Sequence, residues 1–372
     1  MFDRLIAFFR NEAVLCIAFI CACASTFAAP DASAIVQYID WRVIVLLFCL
    51  MAAVEGMRAS GVLSRLAQML VAGNRTKRAV CIALIMLPFF SSMLVTNDVA
   101  LLTFVPIALL ALKAANWSNS IVRVVVLQAI AANLGGMVTP FGNPQNLFIF
   151  TVYELGAPDF FWTLAPFGLL AFVLLIGASV TFGAETASVD IKLDEKAIDY
   201  RRFILHAILF CASVLAVMRV IPYLAVLPVV AVSLFVFDRR VFARVDYALL
   251  ATFACFFVFS GNMAHMPAMQ AFLGQLMLGH PMLTSLFASQ VISNVPAAVL
   301  LSGFTANWHS LLVGVDLGGL GTPIASLASL IAFKLYLHSD GARASVFMRE
   351  FAIANVAVLV AMCFLYAVLF VF

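Results

Sequence analysis

Hydrophobic positions in this chain come in long blocks, not in alternation, and the polar positions that interrupt them are few and clustered. Blocks at about 13–29, 41–57, 121–150, 160–183, 203–219, 223–237, 247–261, 311–333 and 350–372, bounded by charges or turn residues, read as helical membrane spans. From 247 to 315 there is no Asp, Glu, Lys or Arg. Two further blocks do not fit simple crossings. Residues 79–112 are two apolar arms broken by Thr96-Asn97-Asp98, and residues 282–304 are broken by Ser293-Asn294-Val295-Pro296. Short arms meeting at capping and turn residues predict re-entrant hairpins that leave the membrane on the side they entered.

Composition sharpens the class. Of 372 residues, 65% are apolar and 10% charged, more apolar surface than a soluble protein can hide, so the fold class is an all-α polytopic membrane protein. The net charge of +3 gives no footprint for nucleic acid. Cysteines lie within apolar runs and read as packing residues. Arg4 and Arg10 precede the first block, a pattern shared by signal peptides, but the topology requires that block as a retained span.

Basic residues set the orientation. With the N-terminus inside and both hairpins returning to their side of entry, all of the 21 Lys and Arg except Arg42 and Arg219 face the cytoplasm, and the C-terminus lies outside. The outer loops then carry Asp31, Asp40, Glu154 and Asp159. Glu55, near the inner end of a span, is expected to snorkel to water.

An internal repeat follows. Asn133-Leu134-Gly135-Gly136-Met137-Val138-Thr139-Pro140 and Asp316-Leu317-Gly318-Gly319-Leu320-Gly321-Thr322-Pro323 match at Leu, Gly, Gly, Thr and Pro, with Asn facing Asp. Each breaks a long span, each follows a hairpin, and each hairpin follows an amphipathic stretch, 62–72 or 263–278. The organisation expected is a first repeat over 1–190, a linking span over 191–222 and a second repeat over 223–372, inverted because one unpaired span joins them. Two re-entrant hairpins and two broken transmembrane helices define the architecture.

The breaks are where chemistry is expected. Hydrocarbon leaves broken helices stable only where protein, water or ligand satisfies the freed backbone, and helix N-termini and unwound carbonyls there can hold an anion and a small cation without a buried Arg or Lys. Candidate substrate- and ion-binding residues are Thr96, Asn97, Asp98, Thr139, Asn143, Ser293, Asn294, Asp316 and Thr322; the competing reading for each polar residue is a helix cap. Gly135, Gly136, Pro140, Gly318, Gly319 and Pro323 are assigned to shaping the breaks. Asp98 and Asp316 are acids within the membrane and candidate proton or cation carriers. Asn97 and Asn294 can turn side-chain carbonyls to a cation. His265, His280 and His309 read as surface residues, and no cofactor motif occurs.

The run from Thr96 to Pro106 and the run from Gly314 to Ala328 resemble the two signature regions of the ion transporter superfamily, which includes arsenite permeases, NhaD-type sodium/proton antiporters, citrate transporters and divalent-anion/sodium symporters. Ser293-Asn294-Val295-Pro296 and Gly142-Asn143-Pro144-Gln145-Asn146 are similar to its second hairpin and first-half loop. The symporters carry Ser-Asn-Thr in both hairpins, where this chain has Thr-Asn-Asp and Ser-Asn-Val. The resemblance implies sodium at Asn97 and Asn294, no cofactor beyond a coupling Na+ or H+, a homodimer, and an elevator-like movement. The expected function is secondary active transport of a small inorganic or organic anion in the bacterial inner membrane, without an ATPase. A sodium/proton antiporter is the alternative; a channel and a membrane enzyme fit the gated breaks less well.

Overall fold

The computed structural model describes residues 12–28, 35–189 and 198–370. Arg4, Arg10 and Asp31, on which the N-terminal reading leans, and the expected boundary near 190 fall outside them. The elements in chain order are α1 (Ala13–Ala28), α2 (Ile35–Tyr38), α3 (Trp41–Ala59), α4 (Val62–Val71), β1 (Gly73–Thr76), α5 (Lys77–Ser91), α6 (Asn97–Ala114), α7 (Ile121–Gly136), α8 (Pro144–Val152) and α9 (Ala157–Val180). After β2 (Thr186–Val189) come α10 (Tyr200–Val217), α11 (Tyr223–Phe237), α12 (Tyr247–Ala264), α13 (Pro267–Gly279), α14 (Pro281–Ile292), α15 (Asn294–Ser302), α16 (Trp308–Gly318), α17 (Leu327–Leu337) and α18 (Ala344–Phe370).

Helices form where the apolar blocks predict them, since only a helix satisfies its own backbone in hydrocarbon. Several starts are capped by acids at the block edges: Asp40 accepts from Val43 N–H, Asp199 from Arg202 N–H and Asp246 from Leu249 N–H. The stretch 62–72 forms the amphipathic α4, bent by 53° from α3, whereas 263–278 ends α12 and forms α13, which has no distinct apolar face and buries only Met277. One feature lies outside the all-α expectation. β1 and β2 pair antiparallel as a two-stranded ribbon, Gly73 opposite Val189 and Thr76 opposite Thr186.

The 24-residue helix α9 is about 36 Å long at 1.5 Å per residue, enough to join the two faces of the bundle, and it locates the hairpin ends. At its C-terminal end, Arg78 donates to the Phe182 carbonyl (3.2 Å), and Arg123 donates to the Thr181 hydroxyl (2.7 Å) and the Ala178 carbonyl (3.2 Å). Arg78 opens the first arm of the hairpin and Arg123 follows the second. Residues 79–112 therefore enter and leave on one face, although α6, with 18 residues, is long and apolar enough to read as a crossing. Lys113 pairs with Asp340 on the same face (3.0 Å), which we term the basic face.

The second hairpin, α14 and α15, opens to the other face. There the Tyr153 hydroxyl donates to the carbonyls of Ser302 (3.0 Å) and Thr305 (2.8 Å), while Arg219 donates to the Glu154 carbonyl (2.8 Å). The packing is repeated in register. Arm α5 lies on α7 as arm α14 lies on α16, and the second half of each broken helix crosses to the other hairpin: α17 packs on α6 and α8 on α15.

No hydrophobic force draws helices together in lipid, so close packing relies on small residues. A Cβ on Gly135 would stand 2.0 Å from the Phe89 carbonyl oxygen, and one on Gly318 would stand 2.5 Å from the Ser289 Cβ. These repeat-equivalent glycines let each broken helix touch its hairpin. Among the described residues, nine of the twelve largest fully buried side chains are phenylalanines, including Phe89, Phe104 and Phe148 around the first hairpin and break.

Candidate functional site

The unwound stretches between α7 and α8, and between α16 and α17, face the hairpin tips and bond to them identically. Backbone N–H of Asn97 donates to the Gly142 carbonyl (3.2 Å) and that of Asn294 to the Ala325 carbonyl (3.0 Å). Thr139 donates its hydroxyl to the Met93 carbonyl (2.7 Å), and Thr322 donates to the Gln290 carbonyl (3.3 Å). Every partner in one half is the repeat equivalent of the partner in the other. Thr139 and Thr322 thus fasten each hairpin to its break, and Thr322 is exposed.

Both asparagines occupy the first turn of the second arm, with the side-chain oxygen accepting the next residue's N–H: Asp98 N–H to Asn97 (2.9 Å) and Val295 N–H to Asn294 (2.9 Å). Each leaves only 4% of its surface exposed. Thr96 precedes the helix but makes no side-chain cap. Ser293 holds φ 71° and ψ 155°, a conformation that costs a non-glycine residue about 1–3 kcal/mol and persists only where surroundings enforce it. Here its hydroxyl donates to Ala325 O (3.2 Å).

The halves are stitched across their axis. The side-chain oxygen of Asn133 accepts from the Asn97 amide (3.0 Å) and the Ser326 hydroxyl (2.8 Å), while its amide donates to Ser329 (3.2 Å). Asp316, its repeat equivalent, accepts from the Gln145 amide (2.9 Å). Asp316 is 4% exposed, and its second oxygen, like Oδ1 of Asp98, is buried without a hydrogen-bond partner. Asn143 packs below, its amide nitrogen donating to Gly142 O (2.9 Å) and its oxygen accepting from Met137 N–H (3.2 Å). A Cβ on Gly136 would meet that amide at 2.4 Å, and one on Gly319 would meet the Asn294 amide at 3.0 Å. Pro140 and Pro323 lie in the unwound stretches, where no helical N–H is needed.

Two cavities adjoin this cluster. The larger, about 260 Å³, has Thr96, Asp98 and Asn143 at its tip end and Glu55, Arg58 and Arg244 at its basic-face end. The smaller, about 110 Å³, has Asn97, Asp98, Ser293 and Asn294 among its lining residues, with Gln145 and Ser326. Asp98 borders both; Thr139, Asp316 and Thr322 border neither.

Two expectations need correction. Glu55 does not snorkel: it is 7% exposed because Arg58, one turn on, folds over it with two hydrogen bonds (2.8 and 2.9 Å). The site is also not free of basic side chains, since Arg58 and Arg244 reach the larger cavity from helix ends on the basic face. The sequence offers Gln145, Ser326 and Ser329 only as weaker candidates, in the loops 141–146 and 324–329 that continue the two breaks, and leaves Asn133 out of the site set. The signal was available for three of them: aligning the two breaks sets Asn133 on Asp316, Asn143 on Ser326 and Asn146 on Ser329. Arg58 and Arg244 carry no such signal, as span ends are basic whatever their role.

Comparison with known proteins agrees with this architecture. A citrate transporter family model matches residues 5–310. An uncharacterized transporter of Methanocaldococcus jannaschii is 32% identical over 301 residues, 80% of this chain and 81% of the relative. The inner membrane protein YbiR of Escherichia coli is 30% identical over 310 residues, 80% of each chain. The crystal structure of the YdaH transporter of Alcanivorax borkumensis superposes with a TM-score of 0.53 over 97% of both chains at 12% identity, a likeness of fold. Inverted repeats, paired hairpins, twin breaks and the matched residues lead to one assignment: the chain is a membrane transporter that belongs to the citrate transporter family.

Proposed function

We propose that this chain is a secondary active transporter of a small anion, an inorganic oxyanion or an organic carboxylate, driven by a Na+ or H+ gradient through alternating access. The observation that carries this reading is the meeting of the Asn97 and Asn294 tips at one polar cluster beside cavities reaching toward the basic face. Hairpins entering from opposite faces can each close one route to a shared site, the requirement of alternating access. Helix N-termini at both tips favour an anion, and the half-buried carboxylate of Asp98 and the buried one of Asp316 suit a coupling cation or proton. The family's description makes citrate the first substrate to try.

The basic face is read as cytoplasmic, placing the protein in the bacterial inner membrane with its C-terminus outside. The scaffold is proposed to pair as a homodimer, with the hairpins and breaks as the moving part. A sodium/proton antiporter is the second reading, favoured by the unpartnered oxygens of Asp98 and Asp316. Proteoliposomes with imposed Na+ and pH gradients, offered citrate, succinate, sulfate, phosphate and arsenite, decide between them. Saturable, gradient-driven anion uptake is expected. Sodium–proton exchange without anion uptake would establish the antiporter, and unsaturable flux needing neither gradient would establish a channel.

A further inference from the structure

The larger cavity ends in an arrangement that the hairpin tips do not explain. Glu55 of α3 is a buried carboxylate whose two oxygens are both taken by the Arg58 guanidinium, at 2.8 and 2.9 Å. Arg244, from the loop before α12, stands with Nη1 3.9 Å from the same carboxylate, too far for a hydrogen bond. Among the described residues Arg244 hydrogen-bonds only through its backbone N–H, to the Val241 carbonyl (2.8 Å), and its guanidinium lines the cavity without a hydrogen bond. Arg58 is also incompletely used, with a third of its side-chain surface exposed.

Other charges around this cavity are already assigned. Asp246 caps α12 through Leu249 N–H at 2.9 Å, where the helix N-terminus offsets its charge. Asp98 lies at the tip end. Two guanidinium groups therefore converge on one internal carboxylate inside a cavity that continues to the candidate site. A planar guanidinium fork matches a carboxylate or similar oxyanion in two parallel hydrogen bonds, which an ammonium cannot do. A simple helix lock would need only the Arg58–Glu55 pair, which joins two residues of one helix and ties α3 to nothing else.

We propose that Arg58 and Arg244 form a binding pair for a carboxylate or equivalent oxyanion group of the substrate, and that Glu55 is a built-in carboxylate competing for the same guanidiniums. This rests on the anion-transport reading above. Between turnovers Glu55 holds Arg58 in a fixed rotamer and lessens the charge penalty of two neighbouring cations. An arriving carboxylate bonds first to Arg244, then exchanges with Glu55 on Arg58, and passes along the cavity to the tips. Affinity at this end is a difference between two carboxylates, strong enough to select an anion and weak enough to release it.

The test compares KM for the panel anion that the wild-type protein takes up, citrate first, in proteoliposomes. Arg244→Gln is expected to raise KM about tenfold, the effect of one lost charge-assisted contact. Arg58→Lys is expected to raise it also, because charge without the fork is insufficient. Glu55→Gln removes the competitor and is expected to lower KM several-fold. Asp340→Asn removes one negative charge from the same face outside the cavity and is expected to leave KM unchanged, which separates exchange from general electrostatics. Should Glu55→Gln fail to fold, Arg244→Gln still decides, since that half-exposed side chain holds no hydrogen bond. Wild-type anion uptake with KM in Arg244→Gln within about twofold of wild type would overturn the pair and leave the transport reading standing. No uptake of any panel anion by wild type would overturn both.

Discussion

Gln145 and Asp316 meet at 2.9 Å, one from the second half of the first broken helix and the other from the first half of the second. Asn133, the repeat equivalent of Asp316, is likewise met from the other half: it accepts from Ser326 and donates to Ser329, which flank Ala328, the residue standing where Gln145 does. Each break is thus completed by the opposite half of the chain. Losing one partner leaves a buried carboxylate oxygen unsatisfied, at a cost of about 1–3 kcal/mol. Gln145→Ala is expected to lower the melting temperature and uptake together, while Gln145→Glu, which sets two carboxylates against each other, is expected to be worse. Thermal unfolding in detergent measures both.

Asn97→Ala and Asn294→Ala are expected to abolish uptake while leaving the protein inserted and monodisperse. Each amide caps its own tip and contributes to the cluster, so the loss falls on the site and costs about 1 kcal/mol of helix capping. Uptake near wild-type levels in either variant would leave that residue a cap alone.

Asp98→Asn keeps the size of the side chain and removes its titrating group. If Asp98 carries the coupling ion, uptake in this variant is expected to lose its dependence on pH or on the sodium gradient while substrate binding persists, with a smaller effect in Asp316→Asn. Flux that keeps the wild-type pH and sodium dependence would remove Asp98 from the coupling path.

Gly135→Ala must displace the backbone carbonyl of Phe89, which cannot rotate away, so destabilisation of about 2 kcal/mol or more is expected. Gly177→Ala, with nothing within 4 Å of its Cβ, is expected to be neutral or stabilising. Equal melting temperatures for the two variants would contradict the close packing of α7 on the first hairpin.

On a cysteine-free background, Asn74→Cys and Ser118→Cys are expected to react with a membrane-impermeant thiol reagent from one face and Ala306→Cys from the other. Labelling of positions 74 and 118 from opposite faces would turn the first hairpin into a crossing and reverse every element after it.

Residue order alone is enough to read the membrane class, the positions of the helices and the four interruptions, because hydropathy and the avoidance of buried charge act over a few neighbouring residues. Thr96-Asn97-Asp98 and the paired Gly-Gly-x-x-Thr-Pro runs were legible for that reason, as was the opening of the two hairpins to opposite faces. What each polar group meets became visible only in the packed helices. Thr139 and Thr322 spend their hydroxyls fastening hairpins, Gln145 and Ser326 reach across to the other repeat, and Glu55 is buried under Arg58 instead of reaching water. Those outcomes depend on helices far apart in the chain packing at glycine contacts, and side-chain partners set by such packing leave no trace in local residue order.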